Sequence, residues 1–217
     1  MLTARLLRDG APLTVHSVVE DDPDRLVRLR FSGPGAPTGE VVIPTRYGGT
    51  VPLRVLSLRG REVLLAEMDG NGGTGISQKI GVLVGVDDSG RLRVIGIENL
   101  EILDSTTCES EASLRGTVSE ASAGQLRLSA SFHRRRGECG FRWRGRPHRE
   151  RWQEALSWDG RGILSAERPP RGAGPVRLAT SAARTRVLAL LAAPVTDLRR
   201  VRLERTGIYD LAAYQGR

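Results

Sequence analysis

Residues 76–98 read ISQKIGVLVGVDDSGRLRVIGIE, and this stretch contains the strongest secondary-structure signal in the chain. In its first arm, isoleucine and valine alternate with other residues, as in a β-strand. Gly81 and Gly85 lie inside that arm, where each would cost a helix about 1 kcal/mol. The sequence Asp-Asp-Ser-Gly then favours a turn, and a second apolar arm follows it. The stretch therefore predicts an antiparallel β-hairpin.

The same kind of pattern recurs along the chain. Residues 25–31 (RLVRLRF), 125–132 (QLRLSASF) and 201–204 (VRLE) alternate apolar with polar side chains, which is typical of half-buried strands. Glycine-rich turn signals separate these runs at short intervals. The chain is therefore predicted to be mainly β, an antiparallel sandwich or barrel-like fold with one or two accessory helices.

Two segments favour those helices. Residues 147–156 (PHRERWQEAL) begin with proline and continue with good helix formers. Residues 180–193 are rich in alanine and leucine, start at the capping residues Thr180 or Ser181, and end before Pro194. The apolar face of this second helix is predicted to consist of Val187, Leu188, Leu191 and Ala192.

The polar stretch DSTTCESEA, residues 104–112, is a candidate domain boundary. It predicts a β-rich N-terminal region, 1–104, and a C-terminal region with the helices, 105–217. A single domain is the alternative, since a chain of 217 residues is also short enough for one large β fold.

The chain is strongly basic, with a net charge of +8 and a pI near 10.7. Every basic side chain except Lys79 is an arginine. Such a charge favours attraction to anionic polymers without naming one. The sequence contains no apolar run of the ~20 residues that a membrane helix needs. The first residues lack a signal-peptide pattern, which predicts a cytoplasmic protein unless a signal was removed.

Two cysteines, Cys108 and Cys139, are the only ones in the chain. They do not form a Cys-x-x-Cys motif, and their spacing to the histidines matches no zinc pattern, so no metal site is predicted. A disulfide of an exported protein and two buried thiols both fit this pair.

A glycine-rich stretch gives the first candidate site. Gly70, Gly72 and Gly75 match G-x-G-x-x-G, but a dinucleotide site needs a helix after the glycines, and the residues that follow are strand-like. The stretch is therefore predicted to be a long connection between strands. Its polar tip is a candidate ligand-binding loop and, as an alternative, an enzyme's site for a phosphate-bearing ligand at 69–75. The candidate ligand-binding residues are Asp69, Asn71 and Thr74.

The segment 132–152 gives the second candidate site, because it holds the densest positive charge together with phenylalanine and tryptophan. Cations and aromatic faces suit single-stranded nucleic acid. Alternation of arginine with aromatic residues is equally typical of a surface strand whose aromatic side is buried. The candidate nucleic-acid-binding residues are Arg134, Arg135, Arg136, Arg142, Trp143 and Arg144.

The sequence contains no recognisable catalytic motif: G-x-S-x-G and H-E-x-x-H are absent. No cofactor is predicted. The leading hypothesis is a non-enzymatic β-rich binding or scaffold protein of the bacterial cell envelope, periplasmic or secreted, with a Cys108–Cys139 disulfide. Its partner would be another envelope protein or an acidic polymer. The alternative is a cytosolic protein that binds single-stranded nucleic acid through 132–152.

Overall fold

A computed structural model describes residues 1–6, 10–20, 25–33, 39–45, 51–139 and 142–209, without the side chains of Asn71, Ala123 and Arg142. The described residues form two antiparallel sheets and one α-helix, which confirms the predicted mainly-β class. No described helix is both long and apolar enough to cross a membrane.

Both sheets are meanders, in which each strand pairs with the next along the chain. The first sheet contains β1 (Leu2–Ala4), β2 (Leu13–Glu20), β3 (Leu26–Ser32) and β4 (Gly39–Pro44). The second sheet contains β5 (Leu53–Leu58), β6 (Arg61–Gly73), β7 (Ile76–Val86), β8 (Leu92–Thr107), β9 (Ser110–Ala121), β10 (Gln125–Glu138), β11 (Arg142–Ser157) and β12 (Ser165–Ala166).

The predicted hairpin at 76–98 is confirmed as β7 and the first part of β8. Its arms are almost continuously apolar because both of their faces are covered. Val82 and Val84 belong to the core shared with the first sheet, whereas Leu83 and Ile95 belong to a second core on the opposite face. β3, in contrast, has one solvent-exposed face, and its sequence alternates between apolar and polar residues.

The second sheet curls so that its first strand approaches later ones. The backbone N–H of Ser57 on β5 donates a hydrogen bond to Glu120 of β9 at 2.7 Å. A Cβ on Gly124, in the turn before β10, would lie 2.9 Å from the backbone of Arg59. The curl encloses the second core, which includes Leu58, Leu126 and Trp158.

The predicted helix at 147–156 is wrong, because this segment is part of β11. Trp152 lies opposite Ala130 and Leu156 opposite Leu126 on β10, and these pairs bury both apolar side chains. A spacing of four residues places two side chains on one side of a strand as well as of a helix. The long-range pairing therefore overrides the local helix propensity.

The predicted helix at 180–193 exists, but it begins five residues earlier. Helix α1 spans Pro175–Leu190, with Gly174 as its N-cap and proline in its first turn. Thr180 lies inside the helix, where its hydroxyl donates to the carbonyl of Val176 at 2.9 Å, so it is not the cap. Of the predicted apolar face, Val187 and Leu191 are buried, Leu188 is half-buried and Ala192 is exposed.

The predicted division after residue 104 falls within β8, and the second sheet contains strands from both sides of it. The segment after α1 returns to the first sheet, where Val42 of β4 donates a backbone hydrogen bond to Thr196 at 2.8 Å. The core that α1 and this segment share also includes residues of both sheets.

Candidate functional site

Three hairpin turns lie side by side at one end of the strands of the second sheet. They are the β6–β7, β8–β9 and β10–β11 turns. Cys108 and Cys139 lie at disulfide distance, with their Cα atoms 4.8 Å apart, and join the second of these turns to the third. Ser105 donates a backbone hydrogen bond to Gly75 at 2.7 Å, which ties the first turn to the second. The two sequence candidates, far apart along the chain, therefore lie at the same end of the sheet, with the β8–β9 turn between them.

The glycine-rich stretch is a tight hairpin rather than the long connection predicted from sequence. β6 continues to Gly73 and β7 starts at Ile76, so only Thr74 and Gly75 form the turn. Gly75 has a φ of 76°, and a Cβ there would lie 2.9 Å from the carbonyl oxygen of Ser105. Turn geometry and close packing account for this glycine. A strand follows the turn, so the helix that a dinucleotide would need is absent at this place.

The three candidate ligand residues of this stretch lie along one strand and its turn. Asp69 is half-buried on β6 opposite Lys79, and its carbonyl accepts a hydrogen bond from the Thr45 hydroxyl at 2.8 Å. Thr74 is exposed in the turn. Asn71 lies on β6, but its side chain is outside the described part of the chain. Their role in ligand binding stays a prediction.

The arginine–aromatic candidates lie at the β10–β11 end. The guanidinium of Arg135 stacks over Trp143, 5.5 Å from the ring centroid, and Arg144 forms an ion pair with Glu138 at 2.6 Å. Arg134 is half-buried, and burial together with Arg136 lowers its pKa. The Arg142 side chain is outside the described residues. Part of this cluster is therefore already engaged within the chain.

The aromatic residues on either side of this end face inward. Phe132 and Trp152 are both buried in a small core beneath α1. Trp143, in contrast, is 47% exposed. Among the described residues of 132–152, Trp143 alone offers an exposed aromatic ring, and Arg135 already stacks on it.

β9, β10 and β11 have one face towards the core that contains Phe132 and Trp152. Their other face is an exposed, arginine-rich surface, here called the cationic face. Cross-strand partners share a face of a sheet, so the register places their side chains together. Ser131 lies between Arg115 and Arg151, and the next row is Thr117, Ser129 and Gln153. The rows beyond these add Ser113, His133 and Arg149 at one end and Ser119, Arg127 and Ala155 at the other.

Four arginines of the cationic face are exposed and form no ion pair with any described residue: Arg115, Arg127, Arg149 and Arg151. Burial and the charges of Arg135 and Arg149 lower the pKa of His133, while Glu111 acts in the opposite direction. The surroundings of this histidine are therefore predominantly positive. The alternation of arginine and serine with leucine indicates this surface in the sequence, but the register that aligns the strands is not visible there.

A second charged cluster lies buried beneath α1. Arg184 of the helix forms a bidentate ion pair with Glu98 of β8, at 2.6 and 3.0 Å, and binds Glu154 of β11 at 2.6 Å. Burial raises the pKa of Glu98, although Arg184 acts against it. Arg177 also binds Glu154, at 3.0 Å. Each carboxylate is thus occupied by a cation, and the cluster docks the helix.

Each end of α1 is also held by a charged side chain whose sign is opposite to that end of the helix dipole. Glu150 of β11 accepts backbone hydrogen bonds from Val176 and Arg177, at 3.1 and 3.0 Å, at the positive end of the helix dipole. Arg93 of β8 donates to the carbonyl of Leu191 at 2.6 Å, at the negative end. These two side chains fix the direction of the helix across the sheet.

The described residues contain no group of three or more histidine, cysteine, aspartate or glutamate side chains arranged to hold a metal ion. Comparisons with protein-family models, with curated proteins and with solved structures find no match to this chain. The fold and the surface define a mainly-β protein with two antiparallel sheets, an accessory helix and a cationic sheet face.

Proposed function

We propose that this chain is a non-enzymatic binding protein of the bacterial cell envelope, and that it binds an acidic polymer on its cationic face. One observation carries the proposal: four exposed arginines lie on three adjacent strands without an ion pair to any described residue. Cations left unpaired on one surface attract polyanions and raise their local concentration.

The cysteine pair supports the proposed location in the cell envelope. Disulfides persist in oxidising compartments and are rare in the cytosol. Cys108 and Cys139 are both exposed and join two hairpin ends, so a reducing environment would reach them easily. An oxidising location would keep these two turns joined by the disulfide.

The cationic face lacks a feature that single-stranded nucleic acid uses. Proteins of that class stack bases on exposed aromatic rings as well as binding phosphates. Phe132 and Trp152 point away from the cationic face into the core, and its described residues include no aromatic ring apart from the imidazole of His133. Charge and hydroxyl groups without stacking suit a polymer recognised through its anionic groups.

The test compares polymer binding by two variants of equal net charge. One variant replaces the four face arginines by glutamine, and the other replaces Arg168, Arg171, Arg202 and Arg205, which are exposed elsewhere. Dextran sulfate, neutral dextran and a single-stranded DNA oligonucleotide serve as probes, with affinity measured between low and high salt.

The proposal expects dextran sulfate to bind, with affinity that falls steeply as salt rises. The face variant should lose about tenfold or more of that affinity, since charge-assisted hydrogen bonds to arginine are strong, and the control variant should keep it. Equal losses in both variants would show that net charge alone is responsible. Tighter binding of DNA than of dextran sulfate would favour the nucleic-acid alternative instead.

A further inference from the structure

The centre of the cationic face contains a shallow slot of about 580 Å³. Its floor is formed on β10 by Ser129 and Ser131, whose small side chains leave the space open, while Ala130 between them faces the core. Arg115 on β9 and Arg151 on β11 form its two walls, directly opposite Ser131 on either side. The slot is therefore a channel of hydroxyl groups between two arginines.

The register places these donors around one point. Neighbouring strands lie about 4.8 Å apart, so the Cα atoms of Arg115 and Arg151 are about 10 Å apart with Ser131 midway. An arginine side chain is long enough to lean over its neighbouring strand from either side. Gln153, in the next row, adds an amide to the same wall.

The electrostatics of the slot favour an anion. None of the described residues that line it carries an acidic side chain. The nearest carboxylate in the register is Glu101 of β8, which lies opposite Arg115 but also opposite Lys79 of β7. That glutamate thus faces a cation on each side and cannot neutralise both. Arg149, one row away, adds further positive charge.

We propose that the slot seats one tetrahedral oxyanion, a sulfate or phosphate ester group of the acidic polymer. Arg115 and Arg151 bind it from opposite sides, and the hydroxyl of Ser131 donates a hydrogen bond from below. A carboxylate has two oxygens in one plane, whereas a sulfate or phosphate monoester presents three outward oxygens, one for each of these donors. This inference rests on the proposed function and adds the chemical class of the bound group.

The experiment compares three polyanions at equal charge: dextran sulfate, dextran phosphate, which carries phosphate monoesters, and polygalacturonate, a carboxylate polymer. The slot variant Arg115→Gln/Arg151→Gln is matched by Arg127→Gln/Arg149→Gln, which removes the same charge from the same face outside the slot. The unmodified protein should bind at least one of the two tetrahedral oxyanion polymers about tenfold more tightly than the carboxylate polymer.

The slot variant should lose that preference, while the control variant weakens all three polymers alike and keeps the preference. Ser131→Ala should weaken the preferred polymer about fivefold, the usual value of one hydrogen bond. The tighter of the two tetrahedral oxyanion polymers shows which ester class the slot prefers. Thermal unfolding of each variant checks the fold, since substitutions on this surface should leave the melting temperature nearly unchanged.

Two results would reject the proposed oxyanion site in the slot while leaving polymer binding by the cationic face intact. One is equal affinity of the unmodified protein for all three polymers. The other is a preference that survives in Arg115→Gln/Arg151→Gln. Failure of all three polymers to bind would instead reject the proposed function itself, so the two failures are distinguishable.

Discussion

Arg184 and Glu98 form a buried bidentate ion pair, although 86 residues separate them in the chain. Both side chains are only 4% exposed, and Glu154 lies on the other side of the same guanidinium. Burial acts to lower the pKa of Arg184, but the two carboxylates outweigh it and raise that pKa. The helix is therefore held on the sheet by charge as well as by apolar contacts.

Replacing Arg184 by methionine should destabilise the protein by about 3–5 kcal/mol, because two buried carboxylates lose their shared cation. Urea unfolding followed by circular dichroism measures the change. Arg168→Met, on an exposed loop, is the control and should stay within about 0.5 kcal/mol of the unmodified protein. Adding Glu98→Gln and Glu154→Gln to Arg184→Met should recover much of the loss. A loss no larger than that of the control would disprove the role of the cluster.

Replacing Cys108 and Cys139 by serine should lower the melting temperature. The cysteines are 31 residues apart, and closing a loop of that size is worth about 3–4 kcal/mol in the loop-entropy model. For a protein of this size, that loss corresponds to roughly 5–15 °C. Scanning calorimetry checks it, with the reduced unmodified protein expected to match the variant.

The same cysteines test the proposed location. Alkylating thiols in the native host before lysis, followed by mass spectrometry, should show no alkyl group on either cysteine of a protein matured in an oxidising compartment. Full alkylation of both would place the protein in a reducing compartment and remove the envelope from the proposal.

Some of the fold could be predicted because its signals are local. The 76–98 hairpin combines branched residues with turn residues, and α1 combines helix formers with a proline near each end. The segment 147–156 is compatible with a helix and with a strand, since its Trp152 and Leu156 fit both periodicities and only pairing with β10 selects the strand.

The cationic face and the buried cluster could not be predicted, for a different reason. Arg115, Ser131 and Arg151 become neighbours only through the register of three strands, which is set by the turns that join them. Glu98 is the last residue of the 76–98 hairpin, yet its partner is on a helix that begins far downstream. Long-range pairing places both sets of residues.

Gly85 should not tolerate even a methyl group. A Cβ at this position would lie 2.8 Å from the Trp158 ring, so Gly85→Ala should cost about 1–3 kcal/mol by overpacking the second core. Gly162→Ala is the matched control, because a Cβ there meets no atom within 4 Å and its carbonyl still accepts from the Trp158 indole. Chemical denaturation of both variants measures the difference. Equal stability of the two would contradict the close packing of strand and indole.

Asp87 should make stability depend on acid. It is 3% exposed and accepts hydrogen bonds from the backbone N–H groups of Ser89 and Arg91, both at 3.0 Å, in the β7–β8 turn. Burial acts to raise the pKa of Asp87, but these bonds, the Ser89 hydroxyl and the Arg91 charge outweigh it and lower that pKa. A carboxyl whose pKa is lower in the folded than in the unfolded chain stabilises the fold most when it is ionised.

The stabilisation is therefore complete above the unfolded pKa of about 3.9 and is lost as pH falls through the lower folded pKa. Asp87→Asn removes the charge and should cost about 1–2 kcal/mol at pH 7. Urea unfolding from pH 7 to pH 2.5 should show this difference from the unmodified protein shrinking only below about pH 4. A difference that stays constant over that range would mean that ionisation of Asp87 does not stabilise the turn.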